Sequence, residues 1–251
     1  MRKNYKFWYV SATTVITAVL LAAGSLVSLA APQGGSKAPV EIVADTIDYD
    51  ATTGIMNATG TVRITQGEAV MTGTQAQYDT KKQEGLLTGG VNAVNQDMTL
   101  QAAEIQTFRN NTQLIANGDA VLTKGDKRLS GPRVEYYADK QYALVPADGK
   151  IEMPDGTMTA DKIEAFIQEN RAVGTGSVHI VSDVRKLDAT ADTATYYGEP
   201  KGQSKVILRG NAHAVQEGNT LTGDTLTLRL DEKAMDAQGE GGRTKLVITP
   251  Q

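Results

Sequence analysis

Apolar and polar residues alternate along this chain with a period of two, in segments that return about every 29 residues. The clearest is a seven-residue block starting at Ala44, Gly73, Ala102, Gly131 and Ala160, each 29 residues after the last. Two further copies start at Ala191 and Gly223, after steps of 31 and 32. The third place of the block reads Thr46, Gln75, Glu104, Arg133, Lys162, Thr193, Thr225, and the fifth reads Asp48, Gln77, Gln106, Glu135, Glu164, Thr195, Thr227. All of these are polar. The fourth place reads Ile47, Ala76, Ile105, Val134, Ile163, Ala194, Leu226, and the place two before the block reads Ile42, Met71, Leu100, Leu129, Met158, Ala189, Leu221. All of these are apolar. Such alternation predicts β-strands with one buried face, and its return at a fixed period predicts a repeat architecture.

Each repeat carries a second strand. A glycine recurs at Gly60, Gly89, Gly118, Gly149, Gly176, Gly210 and Gly242, followed by apolar residues two apart, such as Val62 and Ile64, Ala120 and Leu122, or Val178 and Ile180. Turn residues separate the strands: Gln66-Gly67, Lys124-Gly125-Asp126 and Pro154-Asp155-Gly156 at one end, Asp50 to Gly54 and Gly198-Glu199-Pro200 at the other. No helical run follows residue 39. The expected fold is all-β, about fourteen antiparallel strands, with two sheets facing each other at roughly 10 Å. Only 5% of residues are aromatic, which suits so slim an interior. The inward alanines, among them Ala76, Ala93, Ala194 and Ala212, either tighten a closed core or leave room for an apolar guest.

The first thirty residues are of another kind. Arg2, Lys3 and Lys6 precede an apolar run from Val10 to Leu29, and Ser28-Leu29-Ala30 offers small residues of the sort a signal peptidase reads. Residues 1–30 are therefore expected to be a cleaved signal peptide, 31–39 a linker and 40–251 one repeat domain. The run is also long enough to be an uncleaved anchor. Either way the repeats are exported.

Charge and chemistry mainly exclude. The leader carries three of the 25 Lys and Arg, leaving 22 against 29 Asp and Glu, a formal −7. No basic stripe with interleaved aromatics points to nucleic acid, and the absence of cysteine removes disulfides and thiolate metal sites. His179 and His213 share one outward place in adjacent repeats without a recurring carboxylate, and read as solvated residues. Asp45, Asp161, Asp192 and Asp224 recur at the second place of the block. Other repeats hold Thr74, Ala103 and Pro132 there, so a strand-start cap is expected rather than calcium. No nucleophile elbow or phosphate loop is present. Neither enzymatic activity, a cofactor nor a metal is expected.

The pattern Ala-Asp-x-Ile-x-Tyr-Asp at Ala44–Asp50, then Ala58 to Ile64, then Met-Thr-Gly-x-x-Ala-x-Tyr-Asp at Met71–Asp79, resembles the OstA-like, or lipopolysaccharide transport protein A, family. The likeness recurs more loosely as far as Leu228. It implies a β-jellyroll or β-taco, two sheets meeting in a V, in a periplasmic protein that carries lipopolysaccharide from inner to outer membrane. Acyl chains would lie against inward residues: Ile47, Tyr49, Val62, Ile64, Met71, Leu100, Ile105, Leu122, Leu129, Val134, Met158, Ile163, Ile180, Leu221 and Leu226. The partners implied are lipopolysaccharide, OstA-like proteins of the inner- and outer-membrane complexes, and further copies of the chain head to tail. Strand addition at Val40–Asp50 and Lys245–Ile248 would join them. Alternatives are the membrane-anchored C component of the same system, and a structural β-solenoid with no ligand.

Overall fold

The computed structural model describes residues 40–108, 112–198, 204–230, 234–238 and 244–248. The leader, the linker, Gly242 and most of the stretch from Gly198 to Ser204 lie outside these residues. The described chain forms eighteen strands: β1 (Val40–Val43), β2 (Thr46–Asp50), β3 (Ile55–Gln66), β4 (Ala69–Asp79), β5 (Glu84–Asn95), β6 (Met98–Phe108), β7 (Gln113–Lys124), β8 (Lys127–Tyr137), β9 (Tyr142–Val145), β10 (Gly149–Met153), β11 (Gly156–Ala160), β12 (Lys162–Phe166), β13 (Arg171–Ser182), β14 (Leu187–Tyr197), β15 (Lys205–Gln216), β16 (Asn219–Arg229), β17 (Ala234–Gln238) and β18 (Lys245–Val247). A single turn of 3-10 helix, Ala138–Lys140, is the one helical element among them. The short strands come in collinear pairs, β1 with β2, β9 with β10, β11 with β12 and β17 with β18. Fourteen rungs result, each antiparallel to the next.

The two facing sheets expected from the sequence are one continuous sheet, bent along a line that crosses every rung. Each long strand of 11 or 12 residues pairs through one half in one wall and through the other half in the second wall. Wall A takes β2, the first half of β3, the second half of β4, and so on to β17. Wall B takes β1, the second half of β3, the first half of β4, and ends at β18. The recurring glycine therefore lies inside its strand rather than opening a second one.

At that line the ladder slips, because two residues on one strand oppose one on the next, as at Thr59/Val62, Thr88/Val91 and Asn117/Ala120. The bulged residues have positive φ, Gly118 at 81° and Asp119 at 49°, or Gly89 at 90° and Gly90 at 74°. An L side chain is costly there, which explains the glycine. The rung β9/β10 breaks instead, with Asp148 at φ 49°, so Gly149 opens β10 and stands outside the glycine series.

The single residue opposite each bulge is the second place of the block. Three of its aspartates, Asp45, Asp161 and Asp192, cap the neighbouring elbow instead of their own strand start. Asp45 Oδ2 accepts the Thr61 N–H at 3.3 Å, Ser177 Oγ–H donates to Asp161 at 3.2 Å, and Asn211 Nδ2 donates to Asp192 at 2.9 Å. Thr74 and Ala103 occupy the same place in other rungs, so the bend needs compact residues there more than it needs charge.

The first place of the block (Ala44, Gly73, Ala102, Gly131, Ala160, Ala191, Gly223) is always alanine or glycine because the walls converge there. A Cβ on Gly131 would stand 2.4 Å from Val145 Cγ1 of the opposite wall, and one on Gly149 would stand 2.8 Å from Ile163 Cγ1. The interior is thus a wedge, with small residues at its apex and larger aliphatics further out.

Candidate functional site: the seam between the walls

Cross-strand pairing aligns the apolar places into one row per wall. In wall A the partners run from Ile47 to Ala58, Ala76, Leu87 and Ile105, and continue to Leu226 and Ala237. In wall B they run from Ile42 to Ile64, Met71, Ala93 and Leu100, and continue to Leu221 and Leu246. Glycine at position 174 is the single interruption of the wall A row that is not a side-chain hydrophobe. The two rows face each other and form one cluster of packed apolar side chains.

The candidate residues from the sequence fall on these rows. Ile105, Val134, Ile163 and Leu226 are fully buried in wall A, while Ile47 is half-buried at the first rung. Tyr49 departs from expectation: it has the inward parity but stands 48% exposed, because among the described residues β2 is an edge strand paired on one side only. In wall B, Val62, Ile64, Met71, Leu100 and Leu122 are buried, as are Leu129, Met158, Ile180 and Leu221. The inward alanines, Ala76, Ala93, Ala194 and Ala212 among them, are buried and tighten the seam over most of its length.

Sequence reasoning missed a third set, residues two before the elbow: Ala58, Leu87, Ala116, Val145 and Leu208, all buried. The signal was present, since the first four also recur at 29-residue steps. Reading each glycine as a strand start hid them. Nearer the open mouth of the wedge, wall A adds Leu114, Tyr136, Tyr196 and Leu228. Burial pushes the Tyr136 phenol up to about 12.

The seam opens into a cavity of about 280 Å³ near its mouth. Leu122, Leu129 and Ile151 of wall B line it, with Ala165, Ala172 and Tyr196 of wall A. Its cause is local. Three successive rungs carry paired alanines, Ala143, Ala165 and Ala172, in the row where flanking rungs carry Tyr136 and Tyr196. The large opposing residues have nothing to meet, so space remains. Across the mouth beside it, Lys127 Nζ of wall B donates to Asn170 Oδ1 of wall A at 2.5 Å.

Outside the seam, Tyr137, Tyr142 and Phe166 pack as tilted neighbours on the outer face of wall A, with centroids 5.7 and 5.2 Å apart. The Arg171 guanidinium lies 3.7 Å over the Phe166 ring. Burial raises the Tyr142 phenol, which donates to Glu164 at 2.8 Å. Glu164 is in turn held below its ordinary range, chiefly by Lys162 and then by Tyr142. His179 has a carboxylate neighbour after all, Asp188 at 3.1 Å on the next strand. The contact is diagonal across the ladder, so comparing repeats at a fixed period could not reveal it. No group of three His, Asp or Glu among the described residues is placed to hold a metal. No helix among them is long and apolar enough to cross a membrane.

No curated protein sequence matches the chain. Among solved structures, LptH of Pseudomonas aeruginosa, described as the LptA-homologous periplasmic component of the lipopolysaccharide transport device, is 17% identical. That match covers 85% of this chain and 96% of the other, and the superposition is poor, with a TM-score of 0.22. The family described as "LptA/(LptD N-terminal domain) LPS transport protein" matches over residues 41–142, 71–171 and 106–234, overlapping spans that take in most of the repeat domain. The bent sheet of repeats is therefore the body of a lipopolysaccharide transport protein, and the chain belongs to the LptA/LptD N-terminal-domain family.

Proposed function

We propose that the chain is a periplasmic carrier that holds the acyl chains of lipopolysaccharide between its two walls and joins its neighbours through the edges of its sheet. The observation that supports this reading is the pair of apolar rows running from first rung to last. An insoluble chain needs a continuous apolar path more than a closed pocket. The walls are joined along the glycine elbows, so rotation there parts them without breaking the ladder within either wall. Edge strands support the second half of the reading. Among the described residues, β1 and β2 pair only with β3, and β17 and β18 only with β16. Both edges leave backbone groups open to strand addition, and the exposed Leu246, Val247 and Ile248 provide apolar contact at one of them.

The close filling of the seam favours a second reading, a structural β-solenoid with no guest. Photocrosslinking separates the two. A photoreactive residue at Ile163 or Ala172 is expected to capture labelled lipopolysaccharide in cells, and one at the outward Gln106 is not. Adducts at Gln106 with none at the inward places would defeat the carrier reading.

A further inference from the structure

We propose that the mouth of the cavity is a headgroup site, where Lys124, Lys127 and Arg171 bind the phosphate of an anionic glycolipid whose acyl chain occupies the space between Leu129, Ile151 and Ala172. The inference rests on the carrier reading and adds to it a fixed point along the path. The cavity is apolar at depth and cationic at its rim, as an anionic amphiphile requires. Lys124 and Lys127 flank the turn of wall B, and Arg171, which begins β13 in wall A with its guanidinium over Phe166, belongs to the lining on the other side of the opening. Asp97 is the one carboxylate in the lining, which leaves a positive excess.

Two of the cations are also held in place. The Arg171 guanidinium sits 3.7 Å over the Phe166 ring and pairs with Glu169 at 2.7 Å, a contact on the solvent side with Glu169 itself exposed. Lys127 reaches across the mouth to Asn170, a neutral amide that a phosphate displaces readily, because a charge-assisted bond is roughly twice as strong as a neutral one. Arrival of a phosphate would thus exchange the Lys127–Asn170 tie between the walls for a bond to the guest. The volume, about 280 Å³, is roughly twice that of an apolar cavity of ~150 Å³ that accepts benzene. It takes a segment of one chain, and the remainder must follow the seam.

The test measures binding of two probes, bisphosphorylated lipid A and the same lipid A with both phosphates removed, to the full chain and its variants. The wild type is expected to prefer the phosphorylated probe by at least about tenfold, with the preference falling as salt rises. In K124Q/K127Q/R171Q the preference should fall toward unity while affinity for the dephosphorylated probe stays within about twofold. K124Q/K127Q, which leaves Arg171 on its ring, should lose part of the preference. N170A should keep it, since it removes the tie and the Asn170–Gly198 hydrogen bond but none of the cations. R128Q/K150Q, on the outer face of wall B, should behave as wild type. An unchanged preference in the triple variant overturns the proposal, and so does an equal loss for both probes. A wild type that binds neither probe fails the carrier reading itself.

Discussion

The elbow glycines allow backbone conformation and close packing to be weighed separately. Gly90 sits at φ 74° with nothing within 4 Å of where its Cβ would be. G90A therefore reports the left-handed backbone alone, about 1–2 kcal/mol. Gly118 sits at φ 81°, and its Cβ would stand 2.6 Å from Ala103 Cβ on the next strand. That distance is well inside contact, and Ala103 has no rotamer by which to retreat. G118A should cost the same backbone penalty plus a clash of about 1–2 kcal/mol, since overpacking costs typically 1–3 kcal/mol. Removing the opposing methyl in G118A/A103G should restore the clash part and leave the backbone part. The cycle is then expected to show favourable coupling of about 1 kcal/mol between residues 103 and 118. Urea unfolding followed by far-UV circular dichroism suits the measurement, because the only tryptophan, Trp8, lies in the leader. A G118A cost equal to that of G90A, or zero coupling in the cycle, would refute the account of the elbow as a crowded bend.

I163A, at a fully buried inward place, should lose about 2–5 kcal/mol of stability, and the outward T195A should lose under about 1 kcal/mol, both by urea midpoint. Glu164 has a folded pKa below its unfolded value, so the unfolded chain binds more protons and stability rises with pH through that window. Its contribution is complete above roughly pH 5 and is lost as pH falls through the folded value. E164Q should accordingly lose less stability than wild type between pH 6 and pH 3, and an equal acid slope in both would count against the Lys162–Glu164–Tyr142 contact. If the C-terminal edge joins copies, V247K on β18 should weaken self-association at least about tenfold in sedimentation experiments, and an unchanged sedimentation profile would remove that edge from the joint.

Strand faces were legible because parity at a fixed period is a one-dimensional property. Thr46 to Thr225 outward and Ile47 to Leu226 inward needed only counting. The bend was not legible, since Gly60 or Gly118 inside a strand and the same glycine opening a strand leave identical sequence. Only the ladder shows that Thr59 and Val62 flank one slip. The cavity was hidden for a related reason. Ala143, Ala165 and Ala172 are unremarkable singly, and only their pairing on successive rungs makes a gap. Tyr49 kept its parity and lost its burial, because exposure at an edge depends on whether a next strand exists.

Each long strand pairs only with the rung before it and the rung after it. The pairings between rungs are therefore close in sequence, an unusual economy for a β protein, and one that favours rapid hairpin-by-hairpin folding as the chain emerges. A repeat of 29 residues supplies two rungs, so duplicating one lengthens the sheet by roughly 9–10 Å, at ~4.8 Å per rung, without altering either end. Reach is thus a matter of gene length alone, adjustable in even steps, and every intermediate length presents the same pair of edges to whatever lies beyond it.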